Sequence, residues 1–105
     1  MGARRRRVTW SEGARRELDE AIAYIAEDSI DSAIRILETI LDAAESLNEM
    51  SERGRVIPER GDPGIRELVV DPFRLLYHVS EADVTILGVL HQRREFEGWP
   101  GREPR

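Results

Sequence analysis

Arg66-Glu67-Leu68-Val69-Val70-Asp71-Pro72-Phe73-Arg74-Leu75-Leu76-Tyr77-His78-Val79, followed by Val84-Thr85-Ile86-Leu87-Gly88-Val89-Leu90-His91-Gln92-Arg93-Arg94, decides how this chain is read. Aliphatic, β-branched and aromatic residues dominate both runs. Asp71-Pro72 and Ser80-Glu81-Ala82-Asp83 interrupt them with turn chemistry, so the simplest product is a three-stranded antiparallel meander. Closing the last hairpin through residues 80–83 sets Val79 opposite Val84, Tyr77 opposite Ile86, Leu75 opposite Gly88 and Arg74 opposite Val89. Pairing Val70 with Phe73 brings in the preceding strand. Regular alternation then gathers Glu67, Arg74, His78, His91 and Arg93 on one face with Leu76, Leu87 and Val89. It sends Phe73, Leu75, Tyr77, Ile86 and Leu90 to the core. A slip of one residue would invert part of that assignment.

Upstream, Arg4 to Trp10 alternates around Val8 and Trp10 as a short first strand, and Ser11 stands where a helix N-cap belongs. Ala14, Leu18, Ala21, Ile22 and Ile25 recur at helical spacing with Glu17, Asp19, Glu20 and Glu27 outside the stripe. Residues 27–32 break the period. Ile36, Leu37, Ile40, Leu41, Ala44 and Leu47 resume it in a second helix expected to end near Gly54, with Pro58 beyond. Two amphipathic helices joined this closely make an antiparallel hairpin. Residues 55–64 read as a loop, and the tail over 95–105, with Gly98, Pro100, Gly101 and Pro104, has no period. The expected fold is one α+β domain over residues 1–105: a strand, a helical hairpin, then the meander, in one small sheet.

Composition narrows the function. The chain has 105 residues and a formal net charge of −5, with no Cys and two His. Disulfides, thiolate catalysis and sulfur metal sites are excluded together, two imidazoles do not make a zinc site unaided, and no cofactor is implied. No apolar run reaches the ~20 residues of a membrane helix, and the basic N-terminus lacks the apolar stretch of a secretory signal, so cytoplasmic residence is expected. Charge is unevenly spread: residues 1–11 carry +4, residues 12–52 carry −9, and the remainder balances. A broad nucleic-acid-gripping surface needs a strongly basic face, which here could only be local. All 16 basic residues are Arg, suited to bidentate carboxylate or phosphate pairing, although a GC-rich coding sequence gives the same bias.

The face assembled above could run acid–base cleavage of an RNA phosphodiester, with Glu67 as base, His91 as acid and Arg74 or Arg93 on the phosphate. A Glu67–Arg74 cross-strand ion pair with ordinary surface histidines accounts for the same residues, and residue types alone favour it. Trp10 reads as core. Trp99, between Gly98 and Pro100, reads as an exposed contact residue.

Four local patterns carry a resemblance. They are Ala14-Arg15-Arg16-Glu17-Leu18 with Ile22 and Tyr24-Ile25; Gly54-Arg55 before Pro58; Arg66-Glu67-Leu68; and Phe73-Arg74-Leu75-Leu76-Tyr77 leading to Val89-Leu90-His91-Gln92-Arg93-Arg94. In this order and spacing, over roughly residues 8–94, the chain resembles the ParE/RelE superfamily of toxins from type II toxin–antitoxin modules, also known as plasmid-stabilisation modules. RelE-like members cut messenger RNA on the ribosome with lysines, arginines and a C-terminal tyrosine. Arg74 and Arg93 match the arginines, but Ile65 and Glu67 stand where the lysines would be and Trp99 where the tyrosine would be. A Glu, Arg and His set, as in other RNase branches, would be Glu67, Arg74 and His91. Arg66-Glu67-Leu68 and Leu90-His91-Gln92-Arg93-Arg94 look more like ParE members, whose known representatives inhibit DNA gyrase by protein contact. The resemblance therefore implies a non-enzymatic toxin contacting its target or antitoxin through Arg74, His91, Arg93, Arg94 and Trp99. It also implies a cognate antitoxin of ribbon-helix-helix type, forming a hetero-oligomer with the toxin and docking on whatever apolar residues the surface leaves exposed. The alternatives are a ribosome-dependent mRNA endonuclease and a scaffold that has kept the fold and lost toxicity.

Overall fold

The computed structural model describes residues 5–57 and 62–92. Its elements run β1 (Arg7–Trp10), α1 (Glu12–Asp28), α2 (Ile30–Ser46), β2 (Arg55–Val56), β3 (Ile65–Val70), β4 (Phe73–Val79) and β5 (Asp83–His91). The strands form a single sheet in the order β1-β5-β4-β3-β2. β1 lies parallel to β5, and the other three pairings are antiparallel. The expected α+β class and element order hold. The sheet gains a fifth strand, because Arg55 and Val56 pair with Glu67 and Arg66 where the sequence reads as loop.

The helices start and stop through two serines. Ser11 Oγ accepts from the Ala14 N–H at 3.0 Å, satisfying one of the orphan donors of the first turn of α1. Ser29 serves both helices: its N–H donates to Ile25 O at 2.9 Å, and its Oγ accepts from Ser32 N at 3.1 Å. One extended residue, φ −157° and ψ 111°, therefore makes the whole reversal. α2 ends at Ser46, well short of Gly54. The buried Leu47 turns the chain there, and Asn48 O accepts the Arg6 N–H at 2.8 Å, tying the start of β1 to the hairpin's exit.

Both helices cover one face of the sheet. Ala14, Leu18, Ile40, Ala44 and Leu47 pack on Leu68, Val70, Phe73, Leu75, Tyr77, Val84, Ile86 and Val89 to form the main core. The opposite face carries a smaller cluster of Ile57, Ile65, Leu76 and Leu90 with Leu87 against it.

Along β4–β5 the pairings Val79↔Val84 and Tyr77↔Ile86 agree with regular alternation, as does Val70↔Phe73 between β3 and β4. Beyond Ile86 the register shifts, and Leu76 pairs with Gly88, Leu75 with Val89 and Arg74 with Leu90. Leu87 is the extra residue of a β-bulge, which reverses the facing of everything after it. Val89 therefore belongs to the core and Leu90 to the opposite face, the reverse of the sequence expectation.

Candidate functional site

Glu67 is the organising residue of the sheet's outer face. Its residue is only 4% exposed, yet it is a carboxylate, and a buried carboxylate persists only when its charge is matched. Two guanidiniums match it. Arg55 on β2 approaches Oε2 through Nε and Nη2, both at 2.7 Å, and Arg74 on β4 donates from Nη1 to Oε1 at 3.2 Å. Three adjacent strands thus place Arg, Glu and Arg side by side with one net positive charge. The Arg55 side chain is 61% exposed and that of Arg74 16% exposed. Arg55 therefore presents the accessible cation, and Arg74 is packed into the face. The ordinary sequence reading, a Glu67–Arg74 cross-strand pair, is present, but Arg55 is its stronger partner.

The turn carrying Arg55 is held from beneath. The Tyr77 hydroxyl accepts from Gly54 N at 2.7 Å and donates to Ser51 O at 2.9 Å. Arg66 Nη1 donates to Gly54 O at 2.6 Å. A Cβ on Gly54 would lie 2.5 Å from the Glu67 carbonyl oxygen and 2.6 Å from the Tyr77 hydroxyl, so only glycine lets the turn close on β3. Burial pushes the Tyr77 phenol above its ordinary value of 10.0, more than the Gly54 hydrogen bond and the charges of Arg66 and Arg53 pull it down.

His91 is not part of this arrangement. It pairs with Phe73 across β4–β5, and the two rings meet edge to face with centroids 5.5 Å apart. Phe73 faces the helices, so the sheet stands between His91 and the Glu67–Arg74 pair. His78 does share the outer face, opposite Ile65 and Thr85, with Gly64 packed close to its ring. Arg93, Arg94 and Trp99 lie outside the described residues.

On the helical side, His91 lines a groove of about 500 Å³ between α1, α2, the Asp71-Pro72 turn and the end of β5. Ala21, Ile25, Ile36, Phe73 and Val89 supply apolar walls, with Glu17, Glu20 and Tyr24 along α1. Glu17 Oε1 also accepts the Val89 N–H at 2.9 Å, closing part of the β5 edge past the end of β1. A neighbouring depression shares Tyr24 and Ile25 and continues over Glu27, Asp28, Ser29 and Ser32 to the hairpin tip. Regular alternation hides this groove, because it assigns Phe73 to a closed core and His91 to the other face. The available signal is Gly88, an isolated glycine inside a strand pattern and a common mark of a bulge.

The site is thus a small helical hairpin on one face of a mixed sheet, with the Arg55–Glu67–Arg74 cluster on the outer face and a groove with acidic residues on the helical side. Residues 8–96 match the family described as ParE toxin of type II toxin-antitoxin system, parDE. Over 102 residues the chain is 37% identical to a protein of Sinorhizobium fredii (strain NBRC 101917 / NGR234) named "Putative toxin Y4kP", covering 91% of this chain and 95% of that one. Among solved structures, a chain described as "Chromosomal ParDE TA system from P. aeruginosa" has the same fold, with a TM-score of 0.67 at 21% identity over 82% of this chain and 95% of that one. The protein belongs to the ParE toxin family.

Proposed function

We propose that this chain is the toxin of a type II toxin–antitoxin module, that it acts by protein contact on DNA gyrase rather than by cutting RNA, and that a cognate antitoxin neutralises it. The observation that carries the non-nucleolytic part is the separation of His91 from Glu67 and Arg74 by the sheet. General acid–base cleavage needs both proton-transfer groups within hydrogen-bond reach of one phosphodiester, and these side chains point to opposite sides. Each oxygen of Glu67 also already accepts from a guanidinium. The net charge of −5 suits a protein target better than ribosomal RNA. The gyrase assignment is supported by the likeness of Arg66-Glu67-Leu68 and Leu90-His91-Gln92-Arg93-Arg94 to ParE members that inhibit that enzyme.

In this reading Arg74, His91, Arg93, Arg94 and Trp99 are the candidate contacts to target or antitoxin, and the toxin works in the cytoplasm without a cofactor. Among the described residues no helix is long and apolar enough to cross a membrane. The antitoxin is a ribbon-helix-helix protein whose C-terminal segment covers exposed apolar surface and whose N-terminal domain binds operator DNA.

Induction of the chain alone in a bacterial host, with plasmid supercoiling and messenger RNA integrity scored in one culture, tests the reading. Loss of supercoiling with intact message is the expected result, reversed by co-expression of the cognate antitoxin. Message cleavage would overturn it and return Glu67, Arg74 and His91 to consideration as a nuclease set. Normal growth and supercoiling would leave a fold that has lost toxicity.

A further inference from the structure

We propose that Arg55, fixed in place by Glu67, is a contact residue of this toxin and takes an Asp or Glu carboxylate presented by an acidic segment of the protein target. Its role in toxicity rests on the reading above that the toxin works by protein contact, whereas the carboxylate site does not.

Arg55 differs from Arg5 and Arg7 in what holds it. Those two pair with Glu49 and Asp83, surface carboxylates whose side chains are 49% and 35% exposed. Such pairs are loose and screened by water. Arg55 instead pairs with Glu67, 4% exposed, while its own side chain is 61% exposed. One part of the guanidinium is clamped against the sheet and the rest meets solvent. The clamp is also directional. Nε and Nη2 both donate to Glu67 Oε2, which occupies one side of the planar fork. The Nη1 donors and the second Nη2 donor make no other hydrogen bond among the described residues, and together they match the two oxygens of a carboxylate.

The strand beneath is held as firmly. The neighbouring Gly54 is fixed by the Tyr77 hydroxyl and the Arg66 guanidinium, at 2.7 and 2.6 Å. A side chain already immobilised loses little rotamer freedom on binding. Stability alone does not call for this design, because packed apolar residues of similar volume do as well as a buried ion pair or better. Val69, 54% exposed and paired with Arg74, shares the alternation of Glu67 and adds an apolar contact on the same face. Arginine beside exposed apolar surface is the composition of a protein interface. A nucleic-acid backbone fits less well, since it is gripped by many cations, and here one net positive charge sits in a chain of −5.

The test pans a displayed library of random peptides on the full chain, made by cell-free expression. Enriched peptides are titrated against wild type, Arg55→Lys, Glu67→Gln and Arg5→Ala. The expected peptides carry Asp or Glu beside an apolar residue. Their binding weakens about tenfold or more in Arg55→Lys, which keeps the charge and loses the fork, falls with added salt, and is unchanged in Arg5→Ala. Glu67→Gln separates positioning from charge. It makes the face more positive, so a merely electrostatic site would bind these peptides more tightly, whereas a positioned fork binds them several-fold more weakly. Unfolding midpoints are recorded for every variant, and if Glu67→Gln fails to fold, Arg55→Lys, changed at an exposed side chain, decides alone.

Absence of acidic peptides, full binding to Arg55→Lys, loss in Arg5→Ala, or tighter binding to Glu67→Gln would each overturn the proposal. Inhibition of supercoiling by purified gyrase is scored separately with the same chains. Weaker inhibition by Arg55→Lys is expected, and full inhibition would overturn the role of Arg55 at the target. A wild-type chain without effect on gyrase counts against the gyrase reading and leaves the peptide result to judge the carboxylate site.

Discussion

The two faces of the sheet are built on different physics. Beneath the helices, stability comes from apolar burial: Ile40, Leu47, Leu75, Tyr77, Val84 and Ile86 are each fully buried, and the groove opens only where the helical cover ends. On the outer face a thinner apolar cluster adjoins one buried carboxylate between two guanidiniums. The first face tolerates charge only at its rim. The second uses charge to hold three strands in register, so damage to each face should differ in size and in its response to salt.

Ile40→Ala, in the centre of the helix-covered core, should cost about 2–5 kcal/mol in denaturant unfolding, because a cavity is left where neighbouring helix and sheet cannot close. Glu67→Ala should cost about 2 kcal/mol, below the range for fully buried pairs because the Arg55 side chain is 61% exposed and water screens its charge. Tyr77→Phe should cost about 1–2 kcal/mol by leaving the Gly54 N–H and Ser51 carbonyl without their partner.

Tyr77→Phe should also change the alkaline limb of the stability curve. The folded phenol holds its proton to higher pH than the unfolded one, so its contribution is complete below pH 10.0 and is lost as pH rises through the folded value. Wild type should therefore lose an alkaline component that the Phe variant lacks. At the small end, Arg5→Ala removes an exposed pair with Glu49 and should change stability by less than about 0.5 kcal/mol, less still in high salt.

Much of this architecture was legible in the residues. Ser11, the break at residues 27–32, the apolar period of the helices and the turn chemistry at 71–72 and 80–83 act locally, and the elements they delimit formed as expected, except that α2 stops at Ser46 rather than near Gly54. The pairings nearest the 80–83 turn were legible for the same reason. What lay beyond local reading depended on distant partners. Two residues, Arg55 and Val56, show no alternation of their own and become a strand only because β3 offers an edge. The placement of β1 parallel to β5 joins residues far apart in sequence.

The bulge at Leu87 had the largest consequence for function. It moved His91 away from Glu67 and Arg74 and toward Phe73, dissolving a plausible acid–base set and creating one wall of the groove. Only Gly88 hinted at it. Arg74 and Glu67 were correctly placed together, while Arg55 was missed because its strand was.

The account turns on that separation, and proton–proton contacts measured by nuclear magnetic resonance on the isotopically labelled protein test it most directly. Contacts from the His91 ring to Phe73, with Leu76 opposite Gly88 and none from His91 to the Arg74 side chain, are the expected result. Contacts joining the His91 ring to Arg74 or Glu67 would contradict the account and restore a single face on which RNA could be cut.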